Sequence, residues 1–159
     1  MNIRRTMPCP VKAIDGPPPR YSETVLKFAM DPPISVDLRR SVPPPVRDSL
    51  RAIGLDGKFA VLTAYNPRGE NIPKEENDAR QTELENKLRS TDERFIRLDA
   101  CSPDESHCEC SIAVMTTRES AIDIARRLEQ LAIFWFDGNW FWIVGVLADG
   151  DPVRLPAVG

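Results

Sequence analysis

The pattern of apolar and polar positions divides the chain near residue 57. Ten of the fifteen prolines lie in the first fifty residues. Because proline fixes φ and lacks an amide donor, long helices and central strands are not expected there. The pattern therefore predicts a proline-rich N-terminal arm over residues 1–56, with short helical pieces, and a single α+β domain over residues 57–159.

Two apolar pieces interrupt the proline-rich arm. Residues 21–30 are compatible with either a short helix or a strand. Residues 46–55 predict a helix, because Val46, Leu50 and Ile53 recur at helical spacing between a proline and a glycine. We expect both pieces to attach the arm to the main domain.

From residue 58 onwards, the periodicity predicts an alternation of strands and helices. Compact or alternating apolar runs indicate strands, and apolar residues three or four positions apart indicate helices. The Asp-Gly pair at residues 137–138, between two aromatic runs, predicts a β-hairpin. The element order is that of a ferredoxin-like β-α-β-β-α-β fold with an extra C-terminal hairpin strand. The predicted strands cover residues 58–65, 93–100, 107–116, 133–136 and 140–147, and the predicted helices cover residues 73–89 and 120–132.

Composition and charge narrow the classes of function. The net charge is −3 with acids and bases interleaved, which argues against a nucleic-acid-binding surface. No apolar run approaches the about 18 residues that a membrane-spanning helix needs. Gly69 is an isolated glycine after the first predicted strand, so no phosphate-binding loop and no cofactor are predicted.

The expected location determines the expected state of the cysteines. The first residues, MNIRR, are basic, but no apolar segment follows them, which predicts a cytoplasmic protein without a secretory signal. Cysteines are kept reduced in the cytoplasm, so all four are predicted to be free thiols. They are Cys9, Cys101, Cys108 and Cys110.

The stretch DESHCECS, residues 104–111, contains the single histidine and two of the cysteines. In a strand, side chains alternate between the two faces. Cys108 and Cys110 then lie on an apolar face, and His107, Glu109 and Ser111 form a polar row on the other. The Cys-x-Cys spacing and the lack of a second Cys/His pair do not predict a zinc site. Neighbouring side chains of one strand also lack the separate directions of approach that a catalytic triad needs.

Several polar side chains are predicted to meet at one end of the sheet. With the first strand running up, its end, the start of the first helix, the loop before residue 107 and the end of the second helix all lie at the top. These groups either cap loops and helix ends or form a small polar pocket, and both interpretations remain open. The candidate ligand-binding residues are Asn66, Asn77, Arg80, His107, Glu109 and Gln130.

The predicted C-terminal hairpin holds six of the eleven aromatic residues. Strand alternation places some of them on each face, and the proline-rich arm is one candidate to cover the rest. Exposed aromatic patches mark interfaces, so Trp135, Trp140 and Trp142 are the candidate interface residues. A partner protein or a second copy of the chain is the expected partner of such a surface.

Residues from about 58 to 147 resemble DUF3293, a bacterial family of unknown function. The matching elements are TAYNP at 63–67, Asn77 with Leu84 in the first predicted helix, HCECS at 107–111 and QLAIFWFDG at 130–138. The resemblance implies a small bacterial cytosolic protein, and it implies no activity.

The sequence leads to two hypotheses about function. The preferred one is a binding or interaction module, which uses the aromatic sheet face and the polar cluster to hold a partner protein or a small polar ligand. The alternative is a metal-assisted enzyme, hydrolase-like, that uses Glu109 and His107 as ligands or proton carriers.

Overall fold

The computed structural model describes residues 21–157, and the stretch before residue 21, with Cys9 and five of the ten early prolines, lies outside the described residues. The described chain is an α+β fold with three α-helices and eight strands. Two short 3-10 helices add Tyr21–Glu23 and Pro67–Gly69. In chain order the elements are β1 (Val25–Phe28), β2 (Ile34–Asp37), α1 (Pro44–Ala52), β3 (Phe59–Leu62), α2 (Lys74–Ser90), β4 (Phe95–Cys101), β5 (Cys108–Val114), α3 (Arg118–Arg127), β6 (Ala132–Phe136), β7 (Phe141–Gly145) and β8 (Val153–Leu155).

All eight strands form one antiparallel sheet in the order β2-β1-β4-β5-β3-β6-β7-β8. The prediction of an α+β class is confirmed, but the predicted strand count is too low, because β2 and β8 were not predicted and the stretch that contains β1 was compatible with a helix as well as a strand. These strands have only three or four residues each, which is too short for alternation to appear among prolines and polar residues. The finer description as a ferredoxin-like fold stays a prediction.

Each face of the sheet has its own apolar core. Ala60, Leu62, Ile112 and Val114 face α2 and α3 on one side. The opposite face carries Phe59, Val61, Ala113, Phe134, Phe136 and Phe141, which pack with residues of β1, β2, β8 and α1. Because β1 and β8 lie near opposite edges of the sheet and yet share this cluster, the sheet is curled and this second face is concave.

The segment between residue 21 and β3 covers the concave face. Of the two options for residues 21–30, the structure has a strand, β1. The predicted helix at residues 46–55 is present as α1, which starts with prolines in its first turn. Proline is tolerated there because amides in the first turn of a helix have no intrahelical acceptor. Leu50 of α1 and the following Leu55 are buried in the concave core. Whether residues 1–56 are a separate folding unit stays a prediction.

The two longer helices show how local signals set helix ends. Asn77, Gln81, Leu84 and Leu88 of α2 are all buried and form the inward face of that helix. Helix α3 ends at Arg127, five residues before the predicted end, because Glu129 takes a positive φ of 57° and turns the chain into β6. The N-cap of α3 is Thr117, whose side chain accepts a hydrogen bond from the Ser120 amide.

The prediction of free thiols is wrong for the described cysteines. Cys101 and Cys108 form a disulfide with their Cα atoms 4.1 Å apart, and Cys110 is disulfide-bonded as well. Cys101 and Cys108 are opposite each other in the β4–β5 register, in the closely spaced kind of antiparallel pair. The prediction had assumed a cytoplasmic location, which itself stays a prediction. No helix within residues 21–157 is long and apolar enough to cross a membrane.

Candidate functional site

Side chains from α2 and from the turn after α3 bind the backbone that follows β3. Oε1 of Gln81 accepts a hydrogen bond from the Ala64 amide at 2.9 Å, and Nε2 of Gln130 donates to the Tyr65 carbonyl at 3.0 Å. Arg80 donates from Nε to the Ala64 carbonyl at 2.8 Å and from Nη2 to the Leu128 carbonyl at 2.7 Å. These three side chains therefore satisfy backbone groups that the sheet leaves unpaired after β3.

Asn77 and Asn66 form a reciprocal pair next to these contacts. The Asn77 side chain accepts from the Asn66 amide at 2.7 Å and donates to the Asn66 side-chain oxygen at 2.9 Å. That oxygen also accepts from the Ile72 amide at 3.2 Å. Asn66 takes a left-handed conformation with φ of 46°, which asparagine tolerates better than most residues. We call Asn77, Arg80, Gln81 and Gln130 the tie group, because each of them holds the chain at residues 64–66 or the turn after α3.

The carboxylate of Glu109 stands at the end of this network. Its Oε1 accepts a hydrogen bond from Nδ2 of Asn66 at 2.9 Å and lies 3.2 Å from Nε2 of His107. The His107 side chain is buried, whereas 23% of the Glu109 side chain is exposed. Ser111 does not join this pair, since its hydroxyl donates to the Glu109 backbone carbonyl at 3.2 Å. Of the predicted polar row, Glu109 in β5 and His107 just before it therefore form a pair, and Ser111 does not complete a triad.

Glu109 and His107 line a cleft of about 260 Å³ at one end of the concave face. Tyr21 and Phe134 form part of its wall and touch edge to face, with ring centres 5.7 Å apart. Burial, and then the negative charge of Glu109, raise the pKa of Tyr21 to about 12, so its hydroxyl is protonated at neutral pH. The remaining lining residues are Thr24, Asn66, Arg68, Gly69, Asn71, Ala100, Gln130 and Leu131.

Gly69 has a geometric role in this cleft. Its φ is 73°, and a Cβ at this position would come within 3.0 Å of the Leu131 side chain. A larger residue would therefore be strained in its backbone and would push against the cleft wall.

The structure brings five of the six candidate residues together. Asn66, Asn77, His107 and Glu109 form one chain of contacts, and Gln130 lines the same cleft. Arg80 lies apart from the cleft and lines the groove between α2 and α3. Of the two interpretations that the sequence left open, the loop-tying one describes the tie group, of which Gln130 also lines the cleft, and Glu109, His107 and Asn66 combine polar contacts with a place in the cleft lining.

The aromatic residues of the hairpin are mostly covered by the chain itself. Phe134, Trp135 and Phe136 are 6%, 8% and 5% exposed. Trp140 is half-buried under the guanidinium of Arg154, 4.6 Å from the ring centre, and Nε1 of Trp142 donates to Asp137 at 2.8 Å. The interface hypothesis stays a prediction, but the exposure that it assumed is absent at Trp135.

Sequence reasoning missed two groups of residues. Tyr21 and Phe134 of the cleft gave no sequence signal, since one precedes β1 and the other sits in an aromatic run. Glu85 is completely buried and pairs with Nε of Arg97 at 2.9 Å and Nη2 of Arg89 at 3.3 Å. Its position four residues after Gln81, on the inward face of α2, was a usable signal of burial.

Two titratable side chains outside the cleft, Asp99 and Tyr65, have pKa values that differ from their ordinary values. Burial raises the pKa of Asp99 to about 6, although Lys27 acts in the opposite direction. Burial and a hydrogen bond to Asp78 raise the pKa of Tyr65 well above its ordinary value. Within the described part of the chain, no group of three His, Cys, Asp or Glu side chains is arranged to hold a metal ion.

Comparisons with known proteins identify one family. Residues 62–133 match the family model described as "Protein of unknown function (DUF3293)", a range that starts at the last residue of β3 and includes α2, β4, β5, α3 and most of the cleft residues. No curated protein and no solved structure matches the chain.

Proposed function

We propose, from the premise that residues 62–133 form a DUF3293-like domain, that this protein is a binding module whose cleft holds a small polar molecule. The observation that carries the proposal is the position of the Glu109 carboxylate. Asn66 and His107 both contact its Oε1 on the wall of the cleft. A carboxylate has about four acceptor positions, so the carboxylate keeps capacity for a ligand after these two contacts.

The construction of the cleft supports this proposal. Its walls come from the segment before β1, from β4 and β5, from the turn after β3 and from β6, all parts of one antiparallel sheet or its tightly bonded turns. Sites on such elements need little reorganisation when a ligand enters. The volume of about 260 Å³ is below the about 300–1,000 Å³ of pockets for drug-sized ligands. The module therefore suits a small molecule better than a peptide.

Protein association is the second part of the sequence hypothesis. Trp140 and Trp142 are the half-exposed rings that a partner protein or a second copy of the chain would contact. Because the concave apolar face is covered by β1, β2 and α1, we place recognition in the cleft, and association through the hairpin stays a prediction.

A metal-assisted enzyme is the alternative function. One observation favours it, the 3.2 Å contact between Nε2 of His107 and Oε1 of Glu109. Within residues 21–157 these two side chains gain no third metal-ligating neighbour. A ligand would have to supply further donors, so we rank this alternative below the binding module.

The finer fold description belongs to the same proposal. From β3 to β6 the chain follows the order β-α-β-β-α-β, with the four strands adjacent as β4-β5-β3-β6. This order supports a ferredoxin-like central unit, to which β1, β2, β7 and β8 add further strands.

A variant that narrows the cleft tests the binding function. Ala100 is half-buried and lines the cleft, so Ala100→Leu should fill part of it. Ala52→Leu, at an exposed position of α1, is the matched control. We expect native mass spectrometry and thermal-shift screening of cationic, neutral and anionic metabolites to find a ligand that loses at least tenfold in affinity with Ala100→Leu and keeps its affinity with Ala52→Leu. No ligand from any of the three classes, or a ligand insensitive to Ala100→Leu, would overturn the proposal.

A further inference from the structure

We infer that the ligand of this cleft carries a positively charged nitrogen, an ammonium or a guanidinium group, which binds Glu109. This inference rests on the proposed function and adds the chemical class of the ligand. It is carried by the charge balance of the cleft, by the free capacity of the Glu109 carboxylate and by the aromatic rings in the lining of the same cleft.

The charge balance of the lining favours a cation. The charged side chains that line the cleft are Glu109 and Arg68, apart from the imidazole of His107. Arg68 is ion-paired with Glu129, and its backbone amide donates to the Glu129 carbonyl at 2.7 Å. Its charge is therefore offset within the protein. No Lys or Arg lies within ion-pair distance of Glu109 in the described part of the chain. Among the residues that the structure describes, the Glu109 carboxylate is therefore the one charge of the cleft lining that no Lys or Arg offsets.

The hydrogen bonds at Glu109 leave a position for a donor from outside. Both contacts with the described residues, from Asn66 and His107, go to Oε1. These contacts fix the orientation of the carboxylate without neutralising it by a permanent cation. A charge-assisted hydrogen bond from an ammonium or guanidinium group to Oε2 would be stronger than one from a neutral donor. An anionic ligand would instead meet a like charge at this wall.

The aromatic wall is suited to the same class of ligand. Tyr21 and Phe134 both border the cleft, and their edge-to-face contact fixes the orientation of the two rings. A cation within about 6 Å of the centre of such a ring is attracted by its negative face. The Tyr21 hydroxyl, which is protonated at neutral pH, can also accept a hydrogen bond from the bound cation.

Four small probes with a short alkyl chain and different head groups test the inference at pH 7.5. They are n-butylamine, n-butylguanidine, 1-butanol and butyrate, and protein-observed NMR titration measures their affinities. We expect the two cations to bind at least tenfold more tightly than 1-butanol, with shifts at the cleft residues, and we expect no binding of butyrate. Glu109→Gln should lower the affinity for both cations at least tenfold. Glu119→Gln, an exposed glutamate in the first turn of α3, should not change it.

The comparison between the amine and the alcohol uses the wild-type chain and does not depend on how well a variant folds. If the cations bind no better than 1-butanol, or equally well to Glu109→Gln, the inference is wrong. If butyrate or another class of molecule binds instead, and its affinity falls with Ala100→Leu, the inference of a cationic ligand is wrong. The proposal of a binding module is then kept. If no class binds, both proposals fall.

Discussion

The tie group and the Glu109–His107 pair lie at the same end of the sheet and differ in what they contact. Asn77, Gln81 and Gln130 are at most 5% exposed and bind backbone groups or the neighbouring Asn66. Glu109 receives contacts on one oxygen and faces a cavity. The difference teaches that the buried amides at this sheet end are used up by contacts within the fold, whereas the partly exposed carboxylate keeps the spare capacity on which the proposed binding depends. Variants of the two groups should therefore separate stability from binding.

The largest effect is expected from Asn77→Ala. This change leaves the Asn66 amide without its acceptor in a partly buried setting and also removes the support of the Asn66 side chain. We expect the free energy of unfolding to fall by about 3 kcal/mol, as for a buried polar group that loses its partner. Urea denaturation measures this loss. Asn86→Ala, at an exposed position of the same helix, should stay within about 0.5 kcal/mol of the wild type. Equal losses in both variants would remove the distinction between the groups.

The next effect tests the strand end that carries His107. Replacing Cys101 and Cys108 with serine removes a short cross-link between β4 and β5. Loop-closure entropy predicts a loss of roughly 2 kcal/mol in the free energy of unfolding. Urea denaturation under non-reducing conditions compares the double variant with the wild type, and mass spectrometry of unreduced peptides checks the link. A double variant as stable as the oxidised wild type would contradict the prediction.

A smaller effect with a defined pH window is expected at Asp99. Because burial raises its folded-state pKa to about 6, folding favours the protonated carboxyl, and the stability linked to this group is lost as the pH rises from about 4 through about 6. Asp99→Asn should then be more stable than the wild type by about 1–2 kcal/mol at pH 7.5, with a smaller advantage at pH 4. Thermal unfolding at both pH values measures this, with exposed Asp149→Asn as the control. A constant difference across the two pH values would assign the effect to something other than titration.

The smallest effect on stability is expected from Glu109→Gln. Glutamine keeps an oxygen that can accept from Asn66, and the replaced carboxylate is partly exposed. We expect the free energy of unfolding to change by less than about 1 kcal/mol, although the same variant should lose cation binding. Urea denaturation measures the stability of this variant, and the binding titration measures its affinity for cations. A loss of stability as large as that of Asn77→Ala would show that Glu109 supports the fold in the same way as the tie group.

Local signals in the sequence account for much of the sheet and the helices. The inward face of α2 was predictable because Asn77, Gln81, Leu84 and Leu88 follow helical spacing. The meeting of Asn66, Asn77 and Glu109 was also predictable, since it follows from strand direction and element order. Arg80 was misplaced because its long side chain reaches the carbonyls of Ala64 and Leu128 instead of the cleft.

The sequence by itself determined the elements from β3 to β7 and the polar end of the sheet, because these depend on periodicity, turns and alternation along the chain. Tertiary structure decided the Cys101–Cys108 disulfide, the addition of β1 and β2 to the sheet and the aromatic wall of the cleft. Each of these joins residues through strand register or curvature. Local spacing does not encode such contacts, because they depend on where whole strands lie relative to one another.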